Sequence, residues 1–505
     1  MIFSPELFEH AEKILCKSSL SDFIKKFWHY ADPAEYVHGW HTDVICEHLQ
    51  AVLDGQIRNL IINIPFRHQK SLTVSVFFPA FAWTKKPELQ FLYASYSQAL
   101  SRRDSIKCRQ IIRSPLYQKW FGDVFKIRDD QDTKENFKND KHGYRIATSV
   151  DGMSTGEGGD IIILDDPNNM KKIFSKAYRE STNNFYDYSW SSRLNDPKKS
   201  AKIIVQQRGH QYDLTGHVMQ QEDWDILCLP AVFESKHPIR SKTALNFTDP
   251  RKDGDILWPE RFPLAEIEKY RNILGTWGAS GQLQQRPAPV EGGIVKADWI
   301  YRFTYDTFPE KFVQVIQSWD TAMKADDAHD YSVCTTWGCT KDTFFLIHVF
   351  RKRLEFPDLF ESVKSQYEAF KHLGINTILI EDKSSGISLI PEIRRRTDMP
   401  VRAFKPAHTD KATRLFLESP AFENGRVRLP VKAPWFDDYI EEIINFPSVP
   451  HDDQVDSTSQ FLCYMRIAPA PAAGVIPVSD ESKGDDDLFN GNDLLSGGDD
   501  SYLVN

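Results

Sequence analysis

Leu60-Ile61-Ile62-Asn63-Ile64-Pro65-Phe66-Arg67-His68-Gln69-Lys70-Ser71 runs from a short apolar segment through a proline-opened loop to a Lys-Ser pair, with an apolar helix-like stretch from Leu72 to Trp83 behind it. A strand, a tight loop and Lys-Ser at a helix start form a cradle for phosphates. The backbone N–H groups of Arg67, His68 and Gln69 and the helix N-terminus face the anion, Lys70 reaches the β- and γ-phosphates, and Ser71 binds Mg²⁺. Ile64 and Gln69 stand where the standard loop has glycines, so the segment taken alone is equally a solvated helix start.

Other segments fix the fold class. Gln90 to Ala94, Ile161 to Leu164 and Ile203 to Val205 are further apolar β-type runs separated by helical stretches, a pattern that predicts an α/β layer with a mainly parallel sheet. The run Ile161-Ile162-Ile163-Leu164 ends in Asp165-Asp166, the form of a Walker B element. Asp165 would then hold Mg²⁺ and Asp166 would orient the attacking water; otherwise the pair is an acidic strand-end turn before Pro167. Together, the loop and the acidic strand end favour an ATPase.

The chain has 505 residues, too many for one ordinary core. Apolar periodicity predicts a helical segment over 1–55, followed by the ATPase domain over 56–275. A Gly/Gln/Pro-rich linker is expected over 276–311, around Gln284-Gln285-Arg286-Pro287. A second α/β pattern over 312–467 has strands near Val313 to Gln317, Ser332 to Trp337, Phe344 to Val349 and Thr377 to Ile380. Residues 468–505 read as a disordered acidic tail. No apolar stretch approaches the roughly 18 to 20 residues of a membrane span, which points away from a membrane and toward the cytoplasm. Seven cysteines without a CxxC pair predict free buried thiols. The net charge of −9 gathers partly in the tail, leaving room for a local basic groove.

The second pattern carries acids at strand ends: Asp320 after Ser318-Trp319, and Glu381-Asp382 after Ile378-Leu379-Ile380. His451-Asp452-Asp453-Gln454-Val455-Asp456 adds two acids at i, i+3 on a helix start, Asp453 and Asp456, with Asp452 pointing elsewhere. Oxygen-rich clusters of this kind suit Mg²⁺ or Mn²⁺ and phosphodiester hydrolysis. Glu381 and Asp382 fall on opposite strand faces, so one of them reaches the metals, and the strand by itself leaves the choice between them open. Asp330 is a candidate auxiliary ligand, and Arg351, Lys352, Arg353, Arg394, Arg395, Arg396, Lys405, Lys411 and Arg414 are candidate phosphate contacts.

In order along the chain, Gly39-Trp40-His41, Ile64 to Ser71, Ala94-Ser95-Tyr96-Ser97, Thr155-Gly156, Leu164-Asp165-Asp166-Pro167, Gln206-Gln207-Arg208, Leu257 to Phe262 and Gln285-Arg286-Pro287 resemble the large terminase subunit of tailed bacteriophages. That resemblance covers most of residues 36 to 465. It implies a P-loop ATPase domain followed by a ribonuclease H-like nuclease domain with Asp320 on the central strand, favours Glu381 over Asp382 by the spacing to Gly386, and implies a coupling segment over Gln206 to Arg208 that senses the γ-phosphate. It further implies ATP-driven translocation of double-stranded DNA into a procapsid and metal-dependent endonucleolytic cutting of concatemers. Its implied partners are the portal protein, the small terminase subunit and further copies in a ring, in the host cytoplasm and transiently at the portal. Where the family has an arginine after Thr-Gly this chain has Glu157, which cannot act as a trans-acting arginine finger, and Arg102, Arg103 and Arg109 are the other candidates. Two other readings compete: a helicase-like repair nuclease, and a DNA-binding assembly protein with vestigial sites.

Overall fold

The computed structural model describes residues 4–150, 152, 156–287, 293–304, 307–321, 331–382, 386–405, 410–447, 449 and 451–467. Asp330, Thr155 and the acidic tail lie outside the described residues. The chain divides into two compact units, residues 1–289 and 290–505. Both are α/β, as expected.

The first unit is built on an eight-stranded sheet. Its strands are β1 (Asn59–Asn63), β2 (Gln90–Ser95), β3 (Ile127–Asp132), β4 (Asn136–Asn139), β5 (Tyr144–Ser149), β6 (Ile161–Asp165), β7 (Ala201–Gln206) and β8 (Asp225–Cys228), in the order β3-β4-β5-β2-β6-β7-β1-β8. From β5 to β8 every pairing is parallel, and β3 and β4 add an antiparallel edge. Period-2 alternation explains why the strands read as continuous apolar runs. Leu60, Ile62, Ile161 and Ile163 enter one core while Ile61, Ile162 and Leu164 enter the other, so both faces are covered.

The N-terminal segment does not stand apart. Helices α1 (Pro5–Ser18), α2 (Leu20–Ala31) and α3 (Trp40–Leu53) bury Phe23, Phe27, Trp28 and Leu49 in the same core as Phe77 and Trp83 of the helix behind the Lys-Ser pair. Three short helices could not bury those side chains alone. Six further helices complete the unit: α4 (Phe78–Trp83), α5 (Gln98–Arg113), α6 (Pro115–Phe121), α7 (Lys176–Phe185), α8 (Leu214–Val218) and α9 (Leu264–Gln282). The expected linker is also largely structured. Its first residues finish α9, Gln284 and Gln285 are buried, and Gln284 bonds to both the N–H and the carbonyl of Val232 at 3.0 Å. These glutamines read as linker because their distant backbone partners, Val232 and Arg208, lie 52 and 77 residues away, beyond any local pattern.

The second unit has seven strands, β9 (Tyr301–Phe303), β10 (Gln314–Asp320), β11 (Ser332–Cys339), β12 (Phe344–Lys352), β13 (Ile375–Glu381), β14 (Val401–Phe404) and β15 (Val427–Pro430), ordered β14-β13-β10-β11-β12-β15-β9. Strands β10, β11 and β12 form an antiparallel meander, and β13 adds in parallel beside β10. Helices α10 (Phe356–Phe370) and α11 (Gly386–Arg396) pack on one face, where Trp319, Ile378 and Ile380 meet Leu359, Val363 and Leu389. Helices α12 (Lys411–Glu423), α13 (Phe436–Asn445) and α14 (Asp453–Ile467) follow. All seven cysteines are free, six of them buried. Among the described residues no helix is long and apolar enough to cross a membrane.

Candidate functional site

The loop after β1 has left-handed backbone at two positions, neither of them a glycine. Arg67 and Gln69 both have φ near +60°. This left-handed conformation costs a non-glycine residue about 1 kcal/mol or more. Gln69 is held there by its side chain, which accepts from Thr42 Oγ1 at 3.3 Å and donates to the Val37 carbonyl at 3.4 Å. The Gly39-Trp40-His41 region therefore buttresses the loop. His68 faces inward: its ring stacks on Phe262 with centroids 4.7 Å apart and lies beside His41 and Trp258. Burial pushes its pKa down to about 4 and holds His41 well below the usual histidine range. The side chains of His68 and Gln69 are thus wedges rather than phosphate ligands.

Lys70 and Ser71 open the following helix, whose first turns are a π-helical stretch over Leu72–Phe77. Lys70 Nζ is 2.7 Å from Asp166 Oδ2, and Ser71 Oγ donates to Asp165 Oδ1 at 3.0 Å. Ser75, one turn on, donates to the other Asp165 oxygen at 2.6 Å. Asp165 is pushed up to about 7 by burial, with Asp166 and Asp104 adding repulsion that Lys70 and Ser75 only partly relieve. A buried carboxylate with that much like charge around it suits a cation, and its serine partner is a neutral oxygen ligand. Asp166 sits at φ 44° and accepts from the Gln207 N–H at 3.3 Å.

The coupling segment divides. Gln207 Oε1 is buried without a partner. Gln206, however, donates to Thr215 Oγ1 at 2.8 Å, and the Arg208 guanidinium is locked on Asp213 at 2.9 Å while its backbone N–H goes to Gln285. Those two side chains shape the fold. Of the candidate fingers, Arg102 pairs with Glu135 at 3.0 Å and Arg109 donates to the Thr133 carbonyl at 3.2 Å. Arg103 pairs with Asp104 at 2.9 Å, and its charge, disfavoured by burial, is favoured by Asp104 and by Asp165. Glu157 is exposed.

In the second unit, register sorts the acids. Trp319 of β10 pairs with Ile380 of parallel β13, so Asp320 and Glu381 come next, side by side at the strand ends. Trp319 and Ile380 point into the core beneath α10 and α11, hence Asp320 and Glu381 point to the opposite face. Asp382 has the parity of Ile380 and falls on the other side. Helix α14 lies on the Asp320 face through small polar groups. Ser318 Oγ donates to the Ser457 carbonyl and Ser457 Oγ to the Ser318 carbonyl, both at 2.8 Å, while Gln460 reaches the Trp319 carbonyl at 3.4 Å. Asp453 and Asp456 ride on the same side as Ser457 and Gln460.

The four carboxylates share one electrostatic neighbourhood. Burial holds Asp320 well above the ordinary carboxylate range, and Asp456, Glu381 and Asp453 push it the same way. Asp453 is pushed up to about 7 by burial, then by Glu442 and Asp452, and its Oδ2 is buried without a hydrogen-bond partner. The donor set fits hard divalent cations. Among the described residues, however, no three of these groups close on one point as they stand. Asp456 is engaged with Lys411 and Arg414.

The family model for the terminase RNaseH-like domain matches residues 317–465. Residues 317–465 are therefore a terminase ribonuclease H-like domain. The large-terminase resemblance is borne out over those residues. Among solved structures, the large terminase of the thermophilic bacteriophage D6E in complex with ADP is 12% identical, with 83% of this chain and 99% of that one covered at a TM-score of 0.48. The HK97 bacteriophage large terminase is 12% identical, covering 82% and 90% at 0.35. The large terminase nuclease of thermophilic phage G20c with bound magnesium is 15% identical, covering 35% and 98% at 0.26. No curated protein matches the sequence.

The terminase domain also uses residues the sequence did not single out. Glu442 of α13, 5% exposed, accepts from the N–H groups of Gln454 and Val455 at 2.7 and 3.1 Å and from Gln454 Nε2 at 2.7 Å. It caps the N-terminus of α14 from another helix, which fixes the first turn that carries Asp453 and Asp456. In the first unit, the sequence gives no sign of Ser75, because its partner Asp165 lies 90 residues away in the chain. Several candidate phosphate contacts prove internally paired: Arg351 with Glu442 at 3.7 Å, and Arg395 and Arg396 with Glu392, each at 2.6 Å.

Proposed function

We propose that this chain is the motor and nuclease of a DNA-packaging terminase, which drives double-stranded DNA into a procapsid with ATP and cuts it from a concatemer. The observation that carries the reading is the pairing, in one chain, of Lys70–Asp166 and Ser71–Asp165 contacts with a four-carboxylate cluster inside a terminase nuclease domain. Ser71 and Asp165 would hold the nucleotide's Mg²⁺, and Asp320, Glu381, Asp453 and Asp456 would hold Mg²⁺ or Mn²⁺. Such ions supply an acidified water and charge stabilisation for the leaving 3′-oxygen.

The chain's own residues do the rest. Lys70 leaves Asp166 for the β- and γ-phosphates, which frees a carboxylate already aimed by its strained backbone and by the Gln207 N–H to orient the attacking water. Gln207 Oε1, buried and unpartnered, offers that water or the γ-phosphate a second contact. Arg103, whose charge Asp165 favours, is the finger candidate this reading uses. Portal protein, small subunit and a ring of copies are the partners this role requires, at the procapsid portal in the host cytoplasm.

The test separates the two sites. Lys70→Ala should abolish DNA-stimulated ATP turnover while Mn²⁺-dependent plasmid cleavage continues, and Asp320→Ala should do the reverse. Persistent cleavage in Asp320→Ala would remove the nuclease assignment. Absence of ATP turnover in the wild type would favour an assembly protein with a vestigial motor.

A further inference from the structure

The nuclease centre contains two cations of its own, held in different ways. Lys411, in the first turn of α12, places Nζ 2.7 Å from Asp452 Oδ1 and 2.6 Å from Asp456 Oδ2. Arg414 pairs with the other Asp456 oxygen and donates Nε to Ser459 Oγ at 2.9 Å. The Arg414 side chain is 8% exposed and that of Lys411 48%. Arg414 is thus a fixed part of the wall, whereas the half-exposed Lys411 ammonium has water beside it to move into.

A lysine in the first turn of a helix meets the positive end of the helix dipole. That end is already capped by Asp410, which accepts from the Thr413 N–H at 3.0 Å. What holds Lys411 there is the acidic cluster. Burial works against its charge, but Asp456 and Asp452 outweigh burial and raise its pKa above the ordinary lysine value. In return Lys411 eases the ionisation of Asp320, Asp453 and Asp456. One ammonium therefore bridges two carboxylates of the cluster, Asp452 and Asp456.

We propose that Lys411 is a built-in stand-in for a divalent cation: it occupies Asp456 in the metal-free nuclease, is displaced when the ion enters, and then presents its ammonium to a DNA phosphate. The inference rests on the nuclease reading of these carboxylates. Arg414 stays on Asp456 throughout and keeps the carboxylate pointed at the site.

Mn²⁺ uptake by the full chain, taken as the fraction lost in Asp320→Asn, decides the matter by isothermal titration. Lys411→Met should lower the Mn²⁺ midpoint roughly three- to tenfold, as expected for losing one competing ion pair. Arg353→Gln removes a charge that rests on the Tyr331 ring at 4.6 Å and serves as the control for the general field; it should move the midpoint less than about twofold. Equal shifts in the two variants, or none in Lys411→Met, overturn the exchange. If the wild type takes up no Mn²⁺ that Asp320→Asn abolishes, the nuclease reading itself falls. The wild type provides a second measurement that needs no variant: Lys411 should become more reactive toward reductive methylation when Mn²⁺ is added, and unchanged reactivity would also overturn the exchange.

Discussion

Gln69 tests whether the first unit really contains a phosphate loop built without glycine. Its φ of +60° costs any side-chain-bearing residue about 1 kcal/mol relative to glycine. Its amide recovers some of that through hydrogen bonds of 3.3 and 3.4 Å, which at such lengths contribute about 0.5 kcal/mol each. Gln69→Ala keeps the strain and loses both bonds, so it should fall about 1 kcal/mol below the wild type. Gln69→Gly loses the bonds but relieves the strain, and should stay level with it. In a unit of 289 residues, 1 kcal/mol corresponds to about 2 °C in Tm, within reach of scanning calorimetry. Nucleotide affinity should follow the same order, because the loop's N–H groups keep their aim in Gln69→Gly. If Gln69→Ala proves as stable as Gln69→Gly, the loop does not hold a left-handed residue at this position and the cradle argument fails.

Further outcomes follow from the same geometry. His68, 2% exposed with its pKa pushed down to about 4, is neutral in the folded chain and gains a proton more readily when unfolded. The stability it contributes is therefore full above about pH 6.5 and disappears as pH falls toward 4, with about 3 kcal/mol at stake. Urea titrations across that range should show the slope, and His68→Phe should flatten it. Glu442→Ala leaves two backbone N–H groups and Gln454 without their buried acceptor. It should cost about 2 to 3 kcal/mol and lower Mn²⁺ affinity, by denaturation and titration respectively, although Glu442 is not itself assigned to the metal. Glu381→Gln should abolish plasmid cleavage while Asp382→Asn retains most of it, since strand parity puts only Glu381 on the Asp320 face.

Much of this was legible in sequence because it is local. Apolar runs of strand length marked the sheets, and parity put Glu381 and Asp382 on opposite faces, while the pairing of Trp319 with Ile380 puts Glu381 beside Asp320. The i, i+3 spacing put Asp453 and Asp456 together. What stayed hidden depends on partners distant in the chain. His68 reads as a loop residue until Phe262 and Trp258 close over it, and Arg208 as a sensor until Asp213 claims it. Gln284 reads as linker until Val232 is found beside it. Lys411 is one basic residue among many until the fold sets it against Asp456. The π-helical stretch that brings Ser75 to Asp165 leaves no periodicity that would distinguish it from an ordinary apolar helix.

The exchange of hydroxyls between Ser318 and Ser457 acts as a ruler for the nuclease. Two serines bonding to each other's carbonyls set the gap between helix and sheet at the width of a hydroxymethyl group, and that gap fixes how far Asp456 stands from Asp320. A bulkier residue at position 457 would lift the helix and spoil the spacing of the acids while leaving every carboxylate in place. If the domain cuts DNA as proposed, cutting could then be detuned in graded steps from a position that bears no charge, with the first unit of the chain unaltered.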